Sequence, residues 1–106
     1  MDQANYMDAC SLAELAPGRA KAIDANGRRI ALFRTTGGGV FALDNTCPHR
    51  GGPLSEGDVI GNEIVCPWHL WGFELDTGRC PGNPEVKVAT HEVQIDGDRI
   101  LVKVAP

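Results

Sequence analysis

Cys47-Pro48-His49-Arg50-Gly51-Gly52-Pro53-Leu54 and Cys66-Pro67-Trp68-His69-Leu70-Trp71 are the two stretches that decide how this chain is read. Each joins one cysteine to one histidine, as C-x-H in the first and C-x-x-H in the second, and sixteen residues lie between His49 and Cys66. The whole chain has four cysteines and three histidines, so two of each fall in these short segments. Proline and glycine mark both segments as loops and not as periodic elements. Two soft thiolates and two imidazoles carried on two loops make a complete donor set for one metal centre.

Outward from these loops the chain reads as short strands separated by turn chemistry. Residues 19–24 and Arg28–Arg34 flank Ala25-Asn26-Gly27, where Asn-Gly is a hairpin signal. Gly37-Gly38-Gly39 leads into Val40–Asp44 and reads as a loose hairpin loop, since no Lys-Ser/Thr or helix follows to make it a phosphate cradle. Residues 59–60 and Glu63–Val65 surround Gly61-Asn62, residues 73–75 run into Asp76-Thr77-Gly78, and residues 92–95 pair across Asp96-Gly97-Asp98 with 99–104. In the last strand Ile100, Val102 and Val104 alternate with Leu101, Lys103 and Ala105. The one helical turn is expected over 11–15. The expectation is a single all-β domain, residues 1–106, built from stacked antiparallel sheets, with the two cysteine/histidine loops at strand ends.

Bulk properties narrow the function. A chain of 106 residues buries on the order of 65% of its extended surface, enough for a modest core. Thirteen glycines and seven prolines suit a turn-rich β protein. The net charge of −4 argues against a nucleic-acid partner. No apolar run nears the roughly 18 residues that span a bilayer, and Met1-Asp2-Gln3-Ala4-Asn5 has neither the basic nor the apolar part of a secretory signal. A soluble cytoplasmic protein without a membrane partner is expected.

Two thiolates and two neutral imidazoles match a two-iron, two-sulfide cluster in which histidines replace cysteines on one iron. Cys47 and Cys66 would hold one iron, and His49 and His69 the other. With Gly51-Gly52-Pro53-Leu54 completing the first segment and Trp71-Gly72-Phe73-Glu74-Leu75-Asp76-Thr77-Gly78 following the second, residues 40–78 resemble the Rieske iron–sulfur domain. The resemblance is looser toward the last strands, and over the first forty residues it lies in the rhythm of strands and turns. It implies the Rieske fold, with a cluster-binding subdomain of about 45–84 formed by two loops. It also implies a third, proline-bearing loop over the cluster, for which Pro84 is the favoured candidate and Pro81 the alternative. Pro48, Arg50, Gly51, Trp68, Leu70 and Trp71 would then surround the cluster or form its docking face, with Leu70 standing where many Rieske domains have glycine. High-potential members carry an extra cysteine in each loop and hydroxyls near sulfur; Gly52, Trp68, Trp71 and Phe73 occupy those places here, which implies a low-potential cluster.

Other readings of the same residues are open to test. A structural zinc site also takes Cys₂His₂, but it usually groups cysteine with cysteine and histidine with histidine. A Cys47–Cys66 disulfide needs an oxidising compartment. Cys10 and Cys80 read as unreacted thiols, His91 as a solvated or half-buried strand residue, and Glu56, Asp58 and Glu63 as a solvated rim.

After the cluster takes two histidines only His91 remains, too few for the mononuclear iron site of an oxygenase. There is no dinucleotide fingerprint. The chain is therefore expected to be no enzyme but an electron carrier, passing electrons from a flavin-dependent reductase to a terminal oxygenase. The alternative is the small Rieske subunit of a nitrite reductase that uses a nicotinamide, with the large subunit as its partner.

Overall fold

A computed structural model describes residues 6–25, 27–47, 52–67, 71–83 and 85–104. It contains β1 (Met7–Ser11), β2 (Ala20–Ala25), β3 (Arg28–Arg34), β4 (Val40–Asp44), β5 (Asp58–Ile60), β6 (Glu63–Val65), β7 (Gly72–Glu74), β8 (Thr90–Asp96) and β9 (Arg99–Lys103). One sheet has six strands in the order β1-β9-β8-β4-β3-β2 and the other three, β5-β6-β7, with every pairing antiparallel. The all-β architecture of antiparallel sheets is as the sequence leads one to expect.

The run Ile30-Ala31-Leu32-Phe33 in β3 has no polar alternation because both its faces are covered. Ile30 and Leu32 enter a core with Cys10, Leu15, Ala25, Ala42, Ile100 and Val102. Since Cys10 and Ala25 belong to the two edge strands, the six-stranded sheet curls around this core. Ala31 and Phe33 point the other way, joining Leu43, Leu54, Ile64, Phe73 and Leu75 in a second core that fixes the small sheet against β3 and β4. Each fully buried side chain of this size contributes about 1.5–3 kcal/mol.

Several details depart from expectation. β1 carries no strong pattern of its own and forms by pairing with β9, from Met7 opposite Val102 to Ser11 opposite Arg99. The helical turn expected over 11–15 is a 3₁₀ turn, Leu12–Glu14. The Glu14 carboxylate accepts the Ser11 N–H and hydroxyl, both at 3.1 Å, and these bonds hold its pKa below the ordinary carboxylate value. A second 3₁₀ turn, Leu54–Glu56, follows the first cysteine loop.

His91 needs a correction: it is buried at 7% exposure, not solvated or half-buried. Its Nε2 lies 2.8 Å from Asp44 Oδ1, and both Asp44 oxygens accept from Arg28 Nη2 at 2.9 and 3.0 Å. β8 runs beside β4 only at its start, where His91 sits opposite Ala42. This brings the imidazole to a carboxylate, and the shared bond lets a polar ring be buried.

Candidate metal centre

The two cysteine loops are built alike. Thr46, just before Cys47, bridges to Pro53, and Val65, just before Cys66, pairs with Gly72, so both hairpins close between residues seven apart. Inside each closure the cysteine amide donates to the carbonyl five residues on: Cys47 N–H to Gly52 at 2.8 Å, and Cys66 N–H to Trp71 at 2.7 Å. Each cysteine is thus the first residue of a turn of identical size, and its histidine falls within that turn, at the second place after Cys47 and the third after Cys66. Among the ligands and neighbours expected from sequence, Pro48, His49, Arg50, Gly51, Trp68, His69, Leu70 and Pro84 lie outside the described residues.

The described part of the centre supplies the two thiols. Cys47 is 1% exposed and Cys66 0%, and both belong to the core between the sheets. No disulfide joins any of the four cysteines. Two buried thiols, each at the mouth of a matched hairpin, are the donors a thiophilic metal takes. Cys80 is buried in the same core, and Cys10 lies in the other one, where burial pushes its thiol pKa up.

Two residues that sequence reasoning did not single out hold the hairpins in place. Asn45 is buried and clamps the base of the first. Its N–H donates to Arg29 (3.0 Å), its carbonyl accepts from Leu54 (2.7 Å) and its Oδ1 accepts the Ser55 N–H (2.8 Å). The side-chain bond ties the hairpin to the following 3₁₀ turn, and an asparagine opening a loop is the available signal for it. Asn45→Ala leaves the Ser55 amide unsatisfied, at a cost of about 1–3 kcal/mol. Faster loss of iron to a chelator than in wild type is the expected result, and an unchanged rate would assign the clamp no role at the centre.

Gly57 is the second. It ends the 3₁₀ turn that follows the first hairpin, and a Cβ there would run into the carbonyl oxygen of Val65, the residue preceding Cys66. Bare backbone at Gly57 therefore lets the segment leaving one hairpin rest on the segment entering the other. No spacing rule announces such a contact.

Trp71 is half-buried and packs against the inter-sheet core. With Glu63, Gly72, Cys80, Pro81, Gly82 and Asn83 it also lines an open pocket of about 350 Å³, so it belongs both to the core and to the surface beside the second hairpin. Gly52 and Phe73, two of the places where high-potential relatives carry polar or covalent supports, are buried.

Comparison with known proteins agrees with this geometry. The family model for the Rieske [2Fe-2S] domain matches residues 5–102. The chain is 34% identical over 101 residues to the ferredoxin component of naphthalene 1,2-dioxygenase/salicylate 5-hydroxylase systems from Ralstonia sp., covering 94% of this chain and 96% of that one. Among solved structures it is similar to the ferredoxin of carbazole 1,9a-dioxygenase from Nocardioides aromaticivorans IC177, with TM-score 0.88, 31% identity, and 96% and 100% of the two chains covered. It is equally similar to a structure from Mycobacterium tuberculosis assigned as an NADH-dependent nitrite reductase small subunit, with TM-score 0.88, 31% identity, and 95% and 96% covered.

Proposed function

Because the chain belongs to the Rieske [2Fe-2S] domain family, we propose that it is a one-electron carrier of a multi-component oxygenase system. The observation that carries the reading is the pair of matched hairpins with their buried thiols. In this reading Cys47 and Cys66 bind one iron and His49 and His69 the other, in a cluster-binding unit of about 45–84 within a single domain of 1–106. The cluster supplies one reversible electron. The protein's part is to hold two sulfur and two nitrogen donors at fixed spacing, keep water from the thiolates and present the histidine-bearing turns to partners.

Replacing two thiolates by neutral imidazoles removes two negative charges and raises the potential relative to all-cysteine clusters. Buried Gly52 and Phe73, with Trp71, offer no hydroxyl or disulfide at the places where high-potential relatives have them. That supports a potential toward the lower part of the Rieske range. A flavin-dependent reductase as donor and a terminal oxygenase as acceptor fit that range, in the cytoplasm, with no catalysis by the chain itself. Among the described residues no helix is long and apolar enough to cross a membrane.

The test is analysis of the purified brown protein for two irons and two acid-labile sulfides per chain, followed by reduction with a flavoprotein reductase. One zinc and no sulfide would overturn the reading. Trp71→Ala is expected to keep the cluster, because the Trp71 carbonyl that accepts the Cys66 amide is main chain. Transfer to the partner should slow about tenfold through loss of an aromatic contact, of the order of 1–2 kcal/mol. Unchanged stopped-flow kinetics would confine Trp71 to packing.

A second reading is favoured by the equal likeness to the structure assigned as a nitrite reductase small subunit. Affinity purification from the native host separates the two. A stoichiometric large chain containing flavin and sirohaem would make this a reductase subunit, and a lone protein reduced by a flavoreductase would make it a diffusing ferredoxin.

A further inference from the structure

The β5–β6–β7 sheet uses one face for the core, through Val59, Ile64 and Phe73. Alternation puts Asp58, Ile60, Glu63, Val65, Gly72 and Glu74 on the other face. The loop at 80–83 borders this outer face on the Glu63–Gly72 side. Ile60, at 63% exposure, is the most exposed large apolar side chain among the described residues.

Charge is divided unevenly along the chain, where Arg50 and Arg79 bound an acid-only stretch and Arg79, whose carbonyl accepts the Glu74 N–H, flanks the end of β7. Residues 51–78 hold five carboxylates, Glu56, Asp58, Glu63, Glu74 and Asp76, with no lysine or arginine between Arg50 and Arg79. That stretch carries −5, while the rest of the chain, with nine acids and ten bases, carries +1. The ion pairs follow the same division. Lys21–Glu14, Arg28–Asp44, Arg29–Asp24 and Arg99–Asp8 all belong to the six-stranded sheet and its turns. None of the five carboxylates joins an ion pair among the described residues.

Glu63 and Glu74 are direct cross-strand partners, so both carboxylates stand on this face, Glu63 Oε1 leaning over Gly72. The Thr77 hydroxyl donates to Glu74 Oε1 at 2.6 Å, which orients that carboxylate without neutralising it. β6 and β7 run from this face directly into the Cys66–Trp71 hairpin. A protein seated here lies beside the candidate metal centre.

We propose that this acidic face, Asp58, Glu63 and Glu74 around exposed Ile60, is a docking surface for a redox protein whose own contact surface is rich in lysine or arginine. The inference rests on the carrier reading and adds the chemistry of the partner. Opposite charge steers the encounter, and Ile60 supplies an apolar contact inside a polar rim.

The test uses the reduced holoprotein and mitochondrial cytochrome c as a lysine-rich probe. One electron leaves the cluster, which is oxidised, and enters the ferric haem, which becomes ferrous. Stopped-flow rates are compared from low to high ionic strength for wild type, for Asp58→Asn/Glu63→Gln/Glu74→Gln, and for Asp24→Asn/Asp96→Asn/Asp98→Asn on the six-stranded sheet. Visible spectra confirm that all three carry the cluster. The first triple should be about tenfold slower at low salt and lose most of its salt dependence, while the second stays within about twofold of wild type. Equal slowing of both triples reduces the effect to net charge and overturns the proposal, as does slowing of neither. A wild-type holoprotein that reduces no cytochrome c at any salt overturns the carrier reading itself, and the docking face with it.

Discussion

His69→Ala is expected to yield a folded, colourless protein. If His69 binds iron, its loss leaves three donors for a centre that needs four, and the visible absorption of the cluster should disappear completely. The scaffold should survive, because the curled six-stranded sheet has a core of its own that includes Ile30, Leu32, Ile100 and Val102 and draws nothing from the two cysteine hairpins. Far-UV circular dichroism and iron analysis together check this. A protein that keeps its colour and two irons would remove His69 from the ligand set. A variant that loses its β signal as well would show that the cluster supports the whole fold and not only its own loops.

Gly57→Ala should be severely damaging for the addition of a single methyl group. The new carbon would be forced against the Val65 carbonyl oxygen, which belongs to a paired strand and cannot move alone. Backbone collisions of this kind cost about 2–4 kcal/mol, which for a domain of this size is a fall in melting temperature of about 10 °C or more. Because the clash lies between the segment leaving one hairpin and the segment entering the other, cluster content should fall along with stability. A thermal melt and an iron assay on the same sample are sufficient. A variant with wild-type values in both would mean that the segments slide apart freely.

Sequence and structure meet most closely where a local rule applies. Cys47 and Cys66 lie in matched hairpin loops because Pro, Gly and the flanking short strands say so locally, and Ile100 and Val102 are buried as their alternation requires. The misses share a physical cause. β1 exists only through β9, some ninety residues away. His91 is buried only because Asp44, on a neighbouring strand, accepts its hydrogen bond. Asn45 and Gly57 matter through the backbone groups they touch on other elements. Partnerships of that kind leave no periodicity, whereas the cysteine and histidine donors are read from chemical type and spacing alone.

The middle of β3, Ile30–Phe33, has no solvent side, and this shapes how the molecule comes apart. It is a party wall: Ile30 and Leu32 line one room, Ala31 and Phe33 the other. Neither room can be emptied without stripping one side of the shared partition. The two halves therefore melt together, as one cooperative unit.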